Sequence, residues 1–195
     1  MSTIFFCSHS PSKYSDEKWR CQLSQWYDDS MGFTYKKNPF NIYISKYFDS
    51  SYEDIVMKYK FRTREQWMMF HKALIFAQKD YKTQNLDIVE KIMNSNDQDV
   101  IRSLGREVNG YNEKIWADAR YEIVLCGNYL QFTQNEEMKL MLLNTKDRII
   151  VEAASYDRIW GIGFNENNAD KNKDKWGLNL LGKVLMEVRN ILSQI

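Results

Sequence analysis

Glu65 and Lys72 stand seven residues apart in the segment Thr63-Arg-Glu-Gln-Trp-Met-Met-Phe-His-Lys72. In a helix this spacing returns both side chains to one face, two turns and roughly 10 Å apart between Cα atoms. Met68, Met69 and Phe76 share that face, and Trp67, Phe70, Ala73, Leu74 and Ala77 make most of the remaining surface apolar. A helix buried on most sides carries a carboxylate and an amine only at a cost, unless each is paired or used. Two readings stand. In one, Lys72 extends to solvent and Glu65, at the second helical position, is favoured by the helix dipole. In the other, an acid/base and an amine converge on one substrate.

A second group of residues could hold a flat ligand. Asp157-Arg-Ile-Trp160-Gly161-Ile-Gly163 sets an indole between backbone positions that can approach a ligand closely. The same pattern also describes a tight turn with a core tryptophan. Arg102 and Arg106, one turn apart, either contact phosphates or form a solvated face. Asn179, Gly182, Met186 and Arg189 lie on neighbouring positions of one face of the last helix, and Leu181, Val184, Leu185, Val188 and Leu192 line a broad apolar side. Asn179 is either a local cap or a reader of a sugar hydroxyl or base edge.

These residues need elements to position them. Thr63 and Gln66 form a capping box that starts the first clear helix, expected to run to about Gln78. Asp97 or a neighbour caps the next helix, through Val100, Ile101 and Leu104, expected to end near Gly110. Asn112 caps a long helix through Trp116, Ala119, Ile123 and Leu130, and Asn135 a short one reaching Leu143. The final helix is expected over about Leu178 to Ser193. Strands are expected at Ile4–Cys7, at the alternating run Phe40–Phe48, followed by a turn at Asp49-Ser-Ser, and at Arg148–Ser155. Ser8–Arg20 reads as a loop, Tyr52–Phe61 is ambiguous, and the polar stretch Asn165–Lys175 reads as a solvated loop or a lid. The expected fold is mainly α (α+β with a few short strands) in a single domain, residues 1–195, with no repeat and no linker.

Composition narrows the class. The 195 residues include 44% hydrophobic residues, 2 Pro and 8 Gly, which excludes disordered and fibrous chains. The 6 Trp and 12 Tyr suit either an aromatic core or a pocket that stacks rings. A net charge of +1 speaks against a protein that coats nucleic acid, and leaves room for a local basic patch. Cys7, Cys21 and Cys126 contain no C-x-x-C pair and read as reduced thiols of a cytoplasmic or nuclear compartment. Cys7, His9 and Cys21 fit no standard zinc spacing, so no metal is expected. The N-terminus lacks a signal-peptide pattern, and no apolar run is long enough to span a membrane.

Taken in order, these segments resemble the NADAR, or YbiA-like, family over most of the chain. Leu23-Ser24-Gln25-Trp26 is similar to the family's early Leu/Phe-Ser-Asn/Gln-aromatic segment, with Gln25 where many members have Asn. Thr63-Arg-Glu65-Gln-Trp67-Met-Met-Phe-His-Lys72-Ala73 resembles its central Glu…Lys helix. Gly105-Arg106 resembles its Gly-Arg pair, and Trp116 a tryptophan of the following helix. Glu152 and Asp157-Arg-Ile-Trp160-Gly161-Ile-Gly163 resemble its Asp-x-x-Trp-Gly-x-Gly loop. Asn179-Leu-Leu-Gly182-Lys-Val-Leu185-Met186-Glu-Val-Arg189 resembles its closing helix.

The resemblance implies a YbiA-like helical fold and an N-glycoside hydrolase. The preferred substrate is ADP-ribosylated guanine in nucleic acid. The alternative is a small ribosylated nucleotide, a ribosylamino-pyrimidine phosphate of riboflavin biosynthesis. A cognate ADP-ribosyltransferase acting in opposition is the implied biological counterpart, and no metal or redox cofactor is implied. Glu65 would handle the proton of the leaving nitrogen, and Lys72 would attack C1 as a neutral amine. Asp157 would orient Lys72 or activate water. Trp26 and Trp160 would stack the base, with Gly161, Gly163 and Asn179 beside them, and Arg20 and Arg106 would contact phosphates. Two competitors are a non-catalytic ADP-ribose-binding module, which has no need of the full Glu65, Lys72, Asp157 set, and a helical interaction protein. The latter leaves the charges on a buried helical face unexplained.

Overall fold

A computed structural model describes residues 2–14, 16–41, 46–48, 50–77 and 79–195. In chain order the elements are β1 Thr3–Phe6, β2 Phe33–Thr34, α1 Tyr52–Val56, β3 Lys60–Phe61, α2 Arg64–Ile75, α3 Lys82–Asn94, α4 Gln98–Leu104, α5 Glu113–Gln134, α6 Glu136–Leu143, β4 Ile149–Glu152, α7 Glu166–Ala169 and α8 Leu180–Leu192. The fold is mainly helical with a few short strands, as expected. The chain divides into two compact units, residues 28–131 and residues 1–27 with 132–195.

The first of these, residues 28–131, is built around α2. Thr63 caps it, its hydroxyl accepting from the Gln66 N–H at 3.1 Å. The Gln66 side chain closes the reciprocal contact one residue further out than a simple capping box, accepting from the Arg62 N–H at 2.9 Å. Its amide nitrogen also donates to the carbonyl of Ile92 at the end of α3. The apolar side of α2 meets an aromatic cluster. Phe33 and Phe61, paired across the antiparallel β2–β3 ribbon, stack with centroids 5.7 Å apart, and Phe61 meets Trp67 edge-on at 4.9 Å. Trp67 can lie flat on α5 because position 127 is glycine: a Cβ there would stand 2.4 Å from the indole ring. The indole N–H donates to the Ile123 carbonyl at 2.8 Å.

α2 ends at Ile75, and its expected end, Gln78, lies outside the described residues; just past the helix the Phe76 carbonyl accepts from the buried Asn85 amide at 2.6 Å. Asp97 caps α4 as expected. That helix stops at Leu104 rather than near Gly110: the next amides bond three residues back instead of four, Arg106 to Ser103 at 2.8 Å and Glu107 to Leu104 at 3.0 Å, while Gly105 packs against Met69 with no room for a Cβ. Asn112 accepts from the Ile115 N–H at the start of α5, which runs past Leu130. The ambiguous Tyr52–Phe61 stretch is a short helix followed by a short strand. Ile42–Ser45 and Asp49, within the expected Phe40–Phe48 strand and its turn, lie outside the described residues.

The other unit pairs β1 with β4 in parallel, Thr3 opposite Ile149 through Phe6 opposite Glu152. Phe5, Val151, Ala153, Ile162 and Ala169 form its core, with Ile149, Phe164 and Trp176 packed against it. Asn135 caps α6 as expected. The amphipathic α8 lies on β4 so closely that a Cβ at Gly182 would come within 2.1 Å of the Ile150 carbonyl. Arg189, buried on α8, donates to the Thr145 hydroxyl and the Arg148 carbonyl, each at 2.9 Å.

Two segments expected as loops contain helical turns. Ser8–Arg20 includes a 3-10 turn at Pro11–Lys13 and the start of another at Lys18–Leu23. Pro11 begins the first, and the Tyr14 hydroxyl gathers the N–H groups of Cys7 and Ser8. Asn165–Lys175 is α7 followed by a 3-10 turn. Asn165 caps α7, and Ala169 is buried with its carbonyl accepting from the Trp176 indole at 2.9 Å. One apolar residue inside a polar run anchors the segment, which periodicity cannot reveal.

Candidate active site

In the 28–131 unit, α2 carries Glu65 and Lys72 on one face. Glu65 is 5% exposed, in the first turn after the Thr63 cap, where the helix dipole favours a carboxylate. Lys72 is half-buried, two turns on. Its Nζ lies 4.6 Å from the centre of the Tyr111 ring and 5.8 Å from that of Trp116. Burial holds the amine below the usual lysine range. The Glu113 and Glu65 carboxylates pull it back up, and the Arg106 guanidinium pushes it further down. Arg106 is exposed and follows directly on Gly105, which packs against Met69 of α2. The geometry therefore brings together a buried acid, a desolvated amine and an exposed guanidinium.

Tyr111, missing from the sequence-based set, belongs to this cluster. Its hydroxyl donates to Glu113, whose other oxygen accepts from Arg120 at 3.3 Å. Burial and the Glu113 carboxylate push the Tyr111 phenol up to about 12, so it stays a donor. An aromatic residue just before the cap of a helix whose next turn holds Trp116 was the available signal. His71, beside Lys72, is a core residue. It is fully buried, its Nδ1 2.8 Å from the Trp67 carbonyl and its Nε2 2.8 Å from the Tyr52 hydroxyl, and burial lowers it to about 3.

The second unit holds the remaining sequence-derived residues. Asp157 Oδ1 accepts from the N–H groups of Ile159 (2.8 Å) and Trp160 (2.9 Å), which folds the loop and sets the half-buried indole. Gly161 packs against the Glu152 carbonyl, where a Cβ would stand 2.8 Å away, and Gly163 has φ +76°, a conformation suited to glycine. The loop carbonyls of Arg158, Ile159, Trp160 and Gly161 accept from the N–H groups of Leu178, Leu180, Leu181 and Asn179. The loop therefore caps the N-terminus of α8 by backbone alone.

Asn179 takes a left-handed conformation, φ 50°, and makes no side-chain cap. Its Oδ1 accepts from the Glu152 N–H and its Nδ2 donates to the Ile150 carbonyl, each at 3.0 Å, which ties α8 to β4. Arg20 is committed within the protein: Nη1 donates to the Phe5 carbonyl at 3.0 Å and to Glu166 at 3.1 Å, and Nη2 pairs with Glu17. Trp26 is half-buried, its ring centre 5.7 Å from that of His9. The neighbouring Gln25 is 7% exposed, and neither amide atom has a hydrogen-bond partner among the described residues. Among those residues no three His, Cys, Asp or Glu side chains gather in a metal-binding group. None of the described helices is long and apolar enough to cross a membrane.

Comparison with known proteins assigns the family. The chain is similar to the N-glycosidase R617 of Acanthamoeba polyphaga mimivirus, 38% identical over 159 residues that span 78% of this chain and 89% of the relative. It is 25% identical over 154 residues to the chloroplastic riboflavin biosynthesis protein PYRR of Arabidopsis thaliana, covering 70% of this chain and 24% of that protein. The NMR structure of the E. coli protein YbiA shares the fold, with a TM-score of 0.64 at 20% identity over 99% of this chain and 86% of YbiA. The family model of the NADAR domain matches residues 6–193, nearly the whole sequence. The chain, with its Glu65–Lys72 helix and its Asp157–Gly163 loop, belongs to the NADAR family.

Proposed function

We propose that this protein hydrolyses an N-glycosidic bond between ribose C1′ and a base nitrogen, and that its substrate is ADP-ribosylated guanine in nucleic acid. The observation that carries the reading is Lys72: a half-buried amine packed against two aromatic rings, on the same helix face as the buried Glu65. Desolvation favours the neutral amine, which is the nucleophilic form.

Glu65 gives a proton to the leaving nitrogen as the C1′–N bond breaks, and the bonding pair goes to the base. The Lys72 Nζ lone pair forms a bond to C1′, and Nζ releases a proton to the Glu65 carboxylate, which then supplies it to O4′. Opening of the ribose at C1′–O4′, with a proton delivered to O4′, leaves a Schiff base between C1′ and Nζ. Water adds at C1′, the C1′–Nζ bond breaks, and the sugar and free amine are restored, with one water consumed per bond cleaved. Arg106 is the candidate for a phosphate contact. Arg20 would first have to leave Glu17 and Glu166.

The mimivirus relative, matched along most of both chains, is named an N-glycosidase, which supports the reaction class. A second reading rests on relatives named for riboflavin biosynthesis, in Arabidopsis thaliana and Vibrio vulnificus, and gives a ribosylamino-pyrimidine phosphate as substrate. Incubation with an ADP-ribosylated guanine oligonucleotide, and separately with ribosylaminouracil phosphate, followed by mass spectrometry of the products, decides between them. Release of ADP-ribose with unmodified guanine is expected. Cleavage of the pyrimidine alone would replace the substrate, and cleavage of neither would remove the reaction.

A further inference from the structure

Tyr111 is an exposed ring in a tightly determined place. It is 43% exposed, yet its surroundings are specific. The Lys72 ammonium faces the ring, Phe76 meets it at 5.6 Å and 61°, and the hydroxyl is tethered to Glu113, which Arg120 holds in turn. The backbone leading to it is fixed as well. Asn109 is bonded to Asn85, and Gly110 has φ +69° with the Tyr81 ring where a Cβ would stand. Trp116, buried on α5, presents a second ring to the same lysine nitrogen. A lysine side chain is long and freely rotating, and a loosely held amine makes a poor nucleophile. Rings packed against the amine limit its rotation and keep water from it, and this desolvation favours the neutral form by more than the pull of the ring face favours the ammonium.

We propose that Tyr111 is the positioning residue of Lys72: its ring, opposed by that of Trp116, brackets the amine and holds Nζ at the Glu65 face of α2. The effect on turnover rests on the reading of Lys72 as the nucleophile; the bracket is measurable without substrate. The charged groups bearing on the amine are Glu65 from its own helix, Arg106 after α4 and Glu113 from α5.

The test is competitive acetylation of Lys72 by dilute acetic anhydride across a pH series, read by peptide mass spectrometry, in the wild type, Tyr111→Phe and Tyr111→Ala. Burial is the strongest influence on this amine, so uncovering it moves the labelling midpoint upward, toward the ordinary lysine range. Tyr111→Ala is expected to raise the midpoint by about one pH unit. Tyr111→Phe, which keeps the ring, should stay near the wild type. In turnover, Tyr111→Ala should lower kcat by about 10-fold with KM changed less than about 2-fold, and Tyr111→Phe should restore most of the loss. Tyr111→Leu, which keeps apolar bulk without a π face, is expected to lower kcat like the alanine variant, and serves if that variant folds poorly.

An unshifted midpoint in Tyr111→Ala overturns the bracket. A shifted midpoint with unchanged kcat overturns the positioning role. A shifted midpoint alongside a wild type that cleaves no N-glycoside supports the bracket and defeats the proposed reaction instead.

Discussion

Asn85 and Asn109 hold each other by a reciprocal amide contact: the Asn109 N–H donates to Asn85 Oδ1 at 2.9 Å, and Asn85 Nδ2 donates to the Asn109 carbonyl at 3.0 Å. Because the same Nδ2 also takes the Phe76 carbonyl, one fully buried side chain ties the end of α2 to the strand of loop that delivers Tyr111. Asn85→Ala leaves these backbone groups without partners. A loss of about 2 kcal/mol is expected, since a buried polar group without its partner costs roughly 1–3 kcal/mol. Urea unfolding measures it, and a loss below about 0.5 kcal/mol would mean that water replaces the amide without penalty.

Glu65→Gln keeps the size of a buried side chain and removes its acid function. Turnover is expected to fall by about 100-fold or more with the fold intact, as for loss of a positioned acid/base. Circular dichroism checks the fold and steady-state kinetics the rate. A fully active Glu65→Gln enzyme would take Glu65 out of the mechanism.

Lys72 separates two mechanisms. Borohydride added during turnover should reduce the Schiff base and leave the sugar fragment fixed on Lys72, located by peptide mass spectrometry. Lys72→Arg keeps a positive charge but stays protonated, so trapping and turnover should both be lost. Near-wild-type turnover in Lys72→Arg with no adduct in the native enzyme would show that the side chain only neutralises phosphate. The pH profile has a definite sign. The neutral amine is required, so activity should rise with pH through a midpoint that burial sets below the ordinary lysine value of 10.5.

His71 links stability to acid. Its folded-state pKa is lowered from 6.5 to about 3 by burial, with the bond to the Trp67 carbonyl acting weakly against that. The unfolded chain takes up this proton below about 6.5, whereas the folded chain resists it until about 3. The stabilisation tied to a neutral His71 is therefore complete above pH 6.5 and is lost as pH falls between those values, by at most about 1.4 kcal/mol per pH unit. Unfolding free energies at pH 7 and pH 4.5 should differ less in His71→Phe than in the wild type. Equal differences in the two proteins would falsify this linkage.

Gly182 marks the closest approach of α8 to β4. In Gly182→Ala the added methyl would lie 2.1 Å from the Ile150 carbonyl, so the helix must move or the strand must bend. The expected loss is about 3 kcal/mol, the upper part of the range for overpacking, which thermal denaturation would register as a fall of roughly 6–12 °C. An unchanged melting temperature would mean that the helix seats itself elsewhere at no cost.

The parts of this molecule that were legible in the sequence are those governed by near neighbours. Thr63, Asp97 and Asn135 cap their helices with bonds to residues within three positions, so short-range chemistry suffices to find them. The Glu65–Lys72 pairing needs only the helical period. The illegible parts depend on partners far along the chain. Arg20 reads as a free phosphate ligand until Glu166 arrives beside it. Asn179 reads as a cap until its backbone turns left-handed and its amide spans to β4. Tyr111 gains its meaning only when α2 and the loop stapled by Asn85 come together. The end of α4 was misplaced because the chain tightens into bonds three residues back after Leu104, which hydrophobic periodicity does not mark.

The backbone ladder joining the Asp157–Gly163 loop to the chain entering α8 carries an evolutionary constraint of its own. Carbonyls at 158, 159, 160 and 161 are matched to amides at 178, 180, 181 and 179, so adding or deleting one residue on either side would leave several of those groups mismatched. The Ile159 side chain is exposed and free to vary, whereas Arg158 is held to the Lys175 carbonyl at 2.8 Å and the loop's length is fixed. Among related sequences this segment should therefore diverge by substitution while remaining free of insertions and deletions, and grafted substrate specificities would have to be written in side chains alone.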